Sequence, residues 1–134
     1  MTRPAWDAYF LNIAASVSAR ASCPRAKVGA VLVTADHRLL ATGYNGAAPG
    51  QVQCDEAGCL MEDGHCQRAL HAEVNAVAFA ARFGVRIEGA TLYLYIDRDD
   101  DGEADVCREC MKVLRAAGVK VGPVATRSRP VGPV

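Results

Sequence analysis

His71-Ala72-Glu73 and the pair Cys107 and Cys110, three apart, are the residues of this 134-residue chain whose types and spacing point most directly to chemistry. One imidazole and two thiolates are donors of the kind that hold zinc in a tetrahedron. Three protein donors leave the fourth corner for water, the ligand count of a catalytic site rather than a structural one. Zinc lowers the pKa of such a water towards about 7, so hydroxide is available at neutral pH. Cysteines three apart in a first helical turn share a face, and a helix N-terminus favours their thiolates. Glu73 is then a carboxylate placed to move protons without binding the metal. The competing reading is a capped helix start at His71 and two packed thiols at 107 and 110. A lone Cys-x-x-Cys would leave that reading open, but the upstream His-x-Glu and the flanking strands favour the metal.

These residues need elements that bring them together. Trp6, Phe10, Ile13, Ala14 and Val17 recur at helical spacing and predict an amphipathic helix over 4–20. Val28 to Thr34 and Arg38 to Thr42, separated by the turn-like Ala35-Asp36-His37, predict a hairpin. Residues 46–68, rich in Gly, Cys and charge, read as irregular, and so long a stretch in a compact domain needs a reason such as a metal. Ala69 to Phe83 reads as a buried helix closed by Gly84. Thr91 to Ile96 reads as a strand, Cys107 to Ala117 as a helix ending at Gly118, and Val119 to Val121 as a short strand. Between the last strand and helix, residues 97–105 carry six acids and one base and read as a solvated loop. The order α-β-β-α-β-α-β predicts an α/β domain, three layers α/β/α around a central mixed sheet, over 1–122. A loosely ordered tail, 123–134, is expected to follow.

Composition bounds the partners. Hydrophobic residues make up 51% and charged residues 22%, an ordinary globular balance. Fifteen Lys and Arg balance fifteen Asp and Glu, so the chain has no net field to hold a polyanion. A polynucleotide-editing enzyme would want a basic channel and stacking aromatics, whereas this chain is neutral and has one Trp, four Tyr and three Phe. No apolar run approaches the roughly 20 residues of a membrane span, and the N-terminus has no signal-peptide pattern, so the cytoplasm is expected. Six cysteines in a reducing compartment read as metal thiolates or buried thiols rather than three disulfides.

In this order the motifs resemble the cytidine deaminase superfamily. Their flanks narrow the resemblance to the deoxycytidylate (dCMP) deaminase family. The flanks are Cys23-Pro24-Arg25-Ala26-Lys27-Val28-Gly29-Ala30, Gly43-Tyr44-Asn45-Gly46, Cys54-Asp55-Glu56-Ala57-Gly58-Cys59, Gly64-His65-Cys66 and Glu88-Gly89-Ala90-Thr91-Leu92-Tyr93, within residues 6 to about 121. The resemblance implies hydrolytic removal of the 4-amino group of dCMP, giving dUMP and ammonia, with Glu73 moving the protons. It also implies a homo-oligomer, a hexamer, while the neutral composition and the lack of a long apolar run already speak against a nucleic-acid or membrane partner. Val106 stands where the family has Pro, Tyr95 where it has Thr, and the acidic loop 97–105 is inserted where the family forms part of its base pocket. That loop opens Asp97-x-Asp99-x-Asp101-Gly102 like a calcium loop, but Arg108 occupies the position of the closing Glu, which favours a solvated turn.

Cys23, Cys54, Cys59, His65 and Cys66 are five candidates for the four places of a structural zinc, which the resemblance also implies. Cys23, Cys54, Cys59 and Cys66 are favoured, with His65 as substitute; buried thiols are the alternative. By resemblance Asn45 contacts the sugar and Ala72 lines the substrate site. Tyr44, Asn45 and Arg82 are implied in a dCTP effector site, with Mg2+ accompanying the triphosphate. Asn-Gly after a strand is also a plain turn signal, and an Arg late in a helix is favoured by the dipole alone. Arg25 and Lys27, just before the first strand, are candidate clamps for the 5′-phosphate, with solvated surface charge the competing reading. A zinc-stabilised binding module without catalysis is the reading from another class, and Glu73 speaks against it, because a structural site needs no carboxylate outside the ligand set.

Overall fold

The computed structural model describes residues 2–98 and 105–129. Four strands form one sheet in the order β2-β1-β5-β6: β1 is Lys27–Val33, β2 Leu39–Tyr44, β5 Thr91–Asp97 and β6 Lys120–Thr126. β1 pairs antiparallel with β2 and β5, and β5 pairs parallel with β6, so the sheet is mixed, as expected. α1 (Trp6–Ser18) covers one face, and α3 (Ala72–Phe83) and α4 (Arg108–Ala116) cover the other.

Strand alternation divides the core. Val31, Val33, Tyr93 and Ala125 pack with Phe10, Leu11 and Ala14 on the α1 side. Ala30, Leu32, Leu92, Leu94 and Ile96 pack with Ala72, Ala76, Ala80, Cys110 and Leu114 on the other. This period of two also places Tyr95 on the α1 side. The Tyr at this position therefore does not turn toward the helix starts that carry His71 and Cys107.

Two glycines let the helices approach the sheet. A Cβ on Gly29 would lie 2.0 Å from the Ala14 carbonyl oxygen, and one on Gly43 would lie 2.4 Å from both the Ala72 oxygen and the Ala76 nitrogen. Gly29 thus seats α1, and Gly43 seats α3.

The C-terminal boundary differs from expectation. The strand expected to end at Val121 runs to Thr126, so residues 123–126 belong to the sheet rather than to a loose tail. Arg127 extends the closure with an ion pair to Asp97 at 2.8 Å. Residues 130–134 of the expected tail, and Asp99, Asp101 and Gly102 of the calcium-like loop, lie outside the described residues.

The segment expected to be irregular contains short elements: α2 (Cys54–Ala57), then the hairpin strands β3 (Met61–Glu62) and β4 (His65–Cys66). Asp63 and Gly64 turn that hairpin with φ of 51° and 78°, both left-handed, as a two-residue type I′ turn requires. Asp-Gly between two strand-like pairs was the signal for it. The lack of an alternating apolar run is why the segment reads as irregular.

Candidate metal centre and active site

His71 and Cys107 occupy the same structural position, the residue that opens a helix. Both have extended backbone, with ψ of 152° and 160°, before α3 and α4. The His71 side chain does not cap its own helix. Its Nδ1 instead lies 3.2 Å from Cys110 Sγ and 3.3 Å from Cys107 Sγ. The Cys110 amide donates to Cys107 Sγ at 3.4 Å, fixing the two thiols on one face of the first turn. Zinc at its usual bond lengths separates imidazole nitrogen and thiolate sulfur by about 3.6 Å across a tetrahedral edge. The two edges that His71 makes therefore need to open by only a few tenths of an ångström to hold the ion. Cys110 is buried and His71 is exposed, so the triangle is closed on the core side and open on the other.

Glu73 supplies a second argument for a cation. It is only 5% exposed, yet its charge acts on the Cys110 thiol. Burial first, and then the Glu73 charge, push the Cys110 thiol well above its ordinary range. An ion among the three donors reverses this, because it stabilises the thiolate and offsets the carboxylate beside it.

Cys54, Cys59 and Cys66 form a second group whose sulfurs lie within 4.8 Å of one another. Cys54 and Cys66 Sγ are 3.6 Å apart, close to the roughly 3.8 Å edge of a zinc tetrahedron. Burial, then the neighbouring Cys66, push Cys54 up to about 12, while the Ala69 amide and then those of Arg68 and Leu60 bring Cys66 down to about 6. A thiolate held by backbone amides beside two soft donors suits a structural zinc. Cys23 is buried and lies outside this group, yet near enough that its charge raises Cys59, after burial, which is the main cause. His65 is exposed on β4, paired across from Glu62, and is not in the group.

The expected nucleotide contacts separate. Asn45 closes β2 onto β1: its Oδ1 accepts from the Val28 amide at 2.8 Å and its Nδ2 donates to the Ala26 carbonyl at 2.6 Å. One N–H and one lone pair remain on its amide. Ala72 is buried, with its side chain in the core, so backbone is what it offers a ligand. Arg25 is exposed, and its guanidinium lies 3.3 Å from Met61 Sδ on the cysteine-bearing hairpin. Lys27 is exposed at the start of β1, opposite Asp97. Tyr44 and Arg82 line one cavity of about 360 Å³ with Phe79 and Phe83, and the Arg82 guanidinium sits 5.4 Å over the Phe83 ring. Asn45 does not line it, so two of the three expected effector residues come together.

Two residues not singled out from the sequence, Gln53 and Asn75, matter here, and so does Val106. Gln53 accepts from Ser22 Oγ at 2.6 Å and from the Ala47 amide at 3.0 Å, and so folds residues 46–53 upon themselves. Asn75 reaches from α3 to the end of β2, donating to the carbonyls of Tyr44 and Gly46 at 2.8 and 3.1 Å. An Asn inside a helix, where its propensity is poor, was the available signal. Val106 packs into the core beside Cys107, and its amide donates to Asp105 Oδ1 at 2.7 Å, a bond that a proline could not make.

An α/β/α domain that presents an imidazole and two thiols from adjacent helix starts, with a buried glutamate against them, is built as a zinc-dependent deaminase domain. The profile of the family described as the cytidine and deoxycytidylate deaminase zinc-binding region matches residues 4–126, and the chain belongs to that family of zinc-dependent hydrolases. It is 40% identical over 120 residues to ComE operon protein 2 of Bacillus subtilis, spanning 90% of this chain and 59% of that protein. It is 36% identical to the deoxycytidylate deaminase of Mycobacterium phage D29, over 90% of this chain and 94% of the phage protein. Among solved structures, the dCMP deaminase of cyanophage S-TIM5 in complex with dCMP and dUMP superposes with a TM-score of 0.70. That match has 30% identity and covers 94% of this chain and 83% of the other.

Proposed function

We propose that the chain deaminates a free pyrimidine nucleotide, dCMP, to dUMP and ammonia. The observation that carries this is Glu73, a buried carboxylate set against the triangle of His71, Cys107 and Cys110. A purely structural metal would have no use for it. The three donors would hold zinc, which would supply a Lewis acid and lower the pKa of the water that attacks.

The remaining work falls to the chain's own groups. Glu73 accepts one proton of the attacking water and delivers it to N3 of the pyrimidine, then carries the remaining proton from the new C4 hydroxyl to the 4-amino group. The C4–O bond forms, the C4–N bond breaks, and ammonia leaves. Burial keeps the carboxylate in reach of these protons and away from competing solvent. Asn45 directs its remaining N–H toward the sugar, Ala72 offers backbone to the base, and Arg25 and Lys27 hold the 5′-phosphate. The dCMP-bound cyanophage structure and the phage deaminase support the choice of substrate. The cavity shared by Tyr44 and Arg82 supports a nucleotide effector, dCTP with Mg2+.

The test is ammonia release by the purified protein from cytosine nucleosides, their mono- and triphosphates, and single-stranded DNA, with Glu73→Gln and His71→Ala assayed in parallel. dCMP is expected to be the preferred substrate. Glu73→Gln should keep its zinc and lose at least the roughly 10²–10⁴-fold in kcat typical of a positioned acid/base. His71→Ala should lose activity together with metal. Turnover by Glu73→Gln at the parent's rate would remove Glu73 from the mechanism. A parent that deaminates nothing on the panel would leave a binding module.

A further inference from the structure

We infer that Asn75 is a positioning residue for the nucleotide site, holding the segment Tyr44-Asn45-Gly46 in the register that Asn45 needs. This rests on the reading of Asn45 as a sugar contact. Asn75 lies on α3 two residues beyond Glu73, on the helix that His71 opens. Its single Nδ2 donates to the two carbonyls that flank Asn45, those of Tyr44 and Gly46. A two-bond bridge reinforces the link: the Gly46 amide donates to the Leu70 carbonyl at 3.1 Å, and the Leu70 amide returns to Gly46 at 2.8 Å. Leu70 immediately precedes the metal ligand His71.

Asn45 is thereby held on two sides. Its side chain grips β1 through Ala26 and Val28, and its neighbouring carbonyls are gripped by α3 through Asn75. With both Asn45 bonds made, one N–H remains for a ligand, and the direction of that N–H is set by the backbone at 44–46. The amide of Asn75 thus connects the helix bearing the proton carrier to the loop bearing the sugar contact, and fixes the spacing between them. Removing the donor takes this bond from the Tyr44 carbonyl, leaves the Gly46 carbonyl with the Leu70 amide alone, and lets residues 44–46 shift relative to α3. The cost should fall on substrate binding and not on proton transfer, because Glu73 and the metal ligands stay where they are.

The experiment uses the full-length, zinc-loaded protein with Asn75→Ala and Asn75→Asp, the latter keeping the shape but offering no N–H. Amide hydrogen exchange should speed at least tenfold at Val28, which depends on Asn45 Oδ1, and at Gly46, with Val31 in mid-strand unchanged. With dCMP alone, KM should rise at least tenfold while kcat stays within about threefold. Asn75→Asp should be no better than Asn75→Ala. In an Asn45→Ala background, Asn75→Ala should add little further rise in KM, since the two act through one contact. Unchanged exchange at Val28 and Gly46, a fall in kcat at constant KM, or parent-like behaviour of Asn75→Asp would each overturn the inference. Should the parent turn over no nucleotide, the proposed function fails on its own, and the exchange measurements still decide whether Asn75 holds Asn45.

Discussion

Tyr93 shows how a single side chain couples the sheet to α1. Its hydroxyl donates to Asp7 Oδ1 at 2.9 Å, in the first turn of that helix. Burial, then the Asp7 carboxylate, push the phenol up to about 12 from the ordinary value of 10. Below pH 10 the tyrosine is protonated in folded and unfolded chains alike, and its contribution to stability is complete. Between about 10 and 12 the unfolded chain releases the proton while the folded one keeps it, so stability falls as pH rises. Tyr93→Phe should flatten that alkaline limb in urea titrations run across this range. At neutral pH it should cost about 1 kcal/mol for the lost hydrogen bond. An alkaline limb identical to the parent's would show that Tyr93 does not carry it. At the same scale, Cys107 and Cys110 were legible because ligand chemistry needs particular residue types at a fixed spacing, whereas the role of Asn75 was not: its poor helix propensity marks the residue, but its partners are backbone carbonyls that leave no mark on the sequence.

Between elements, the two glycine contacts make separable predictions. Gly43→Ala forces its Cβ against the backbone of Ala72 and Ala76, so α3 must move away from β2. Overpacking of this kind costs about 1–3 kcal/mol or more, and it displaces the helix carrying His71 and Glu73. Lower denaturation midpoint, lower turnover and weaker zinc retention are expected together. Gly29→Ala pushes α1 instead, through the Ala14 carbonyl, and should lower the midpoint while zinc stays at the parent's level. Equal zinc loss in both variants would contradict the assignment of Gly43 to the active-site helix. The cysteine-bearing segment gives another test. Elemental analysis should find about two zincs per chain, and Cys54→Ser should lose one along with much of the stability. A value of one zinc, with Cys54→Ser as stable as the parent, would remove the structural site.

For the whole molecule, charge balance and surface apolarity point the same way. The chain is neutral overall, and Phe79, Phe83 and Leu70 stand exposed around the cavity that Tyr44 and Arg82 line. An apolar rim of that kind on a neutral surface favours self-association. Light scattering at micromolar concentration should therefore report a homo-oligomer, and Phe83→Asp should lower its mass; a hexamer is the size that the family resemblance implies. A monomeric parent would remove the assembly and leave the fold untouched. Among the described residues, no helix is long and apolar enough to cross a membrane.

The sequence alone singled out the candidate metal ligands, which the structure brings together, the candidate proton carrier, and the layered order of the elements. Each is written in features that survive without coordinates: ligand types at helical spacing, a 3.6-residue apolar period in α1, and β-branched runs in β1 and β5. What it could not determine was decided by pairing across the chain. β6 runs on to Thr126 because β5 offers it a parallel edge, although Pro123 and Gly122 read locally as the end of a strand. Tyr95 falls on the α1 side because the register of β5 against β1 sends alternate residues to opposite faces. Asn45 is a latch between strands as well as a candidate ligand because Ala26 and Val28 are folded back against it, nearly twenty residues away in the chain. Local spacing records which groups are available for chemistry. Which of their hydrogen bonds remain free for a ligand depends on backbone partners far along the chain, and only the tertiary structure supplies those.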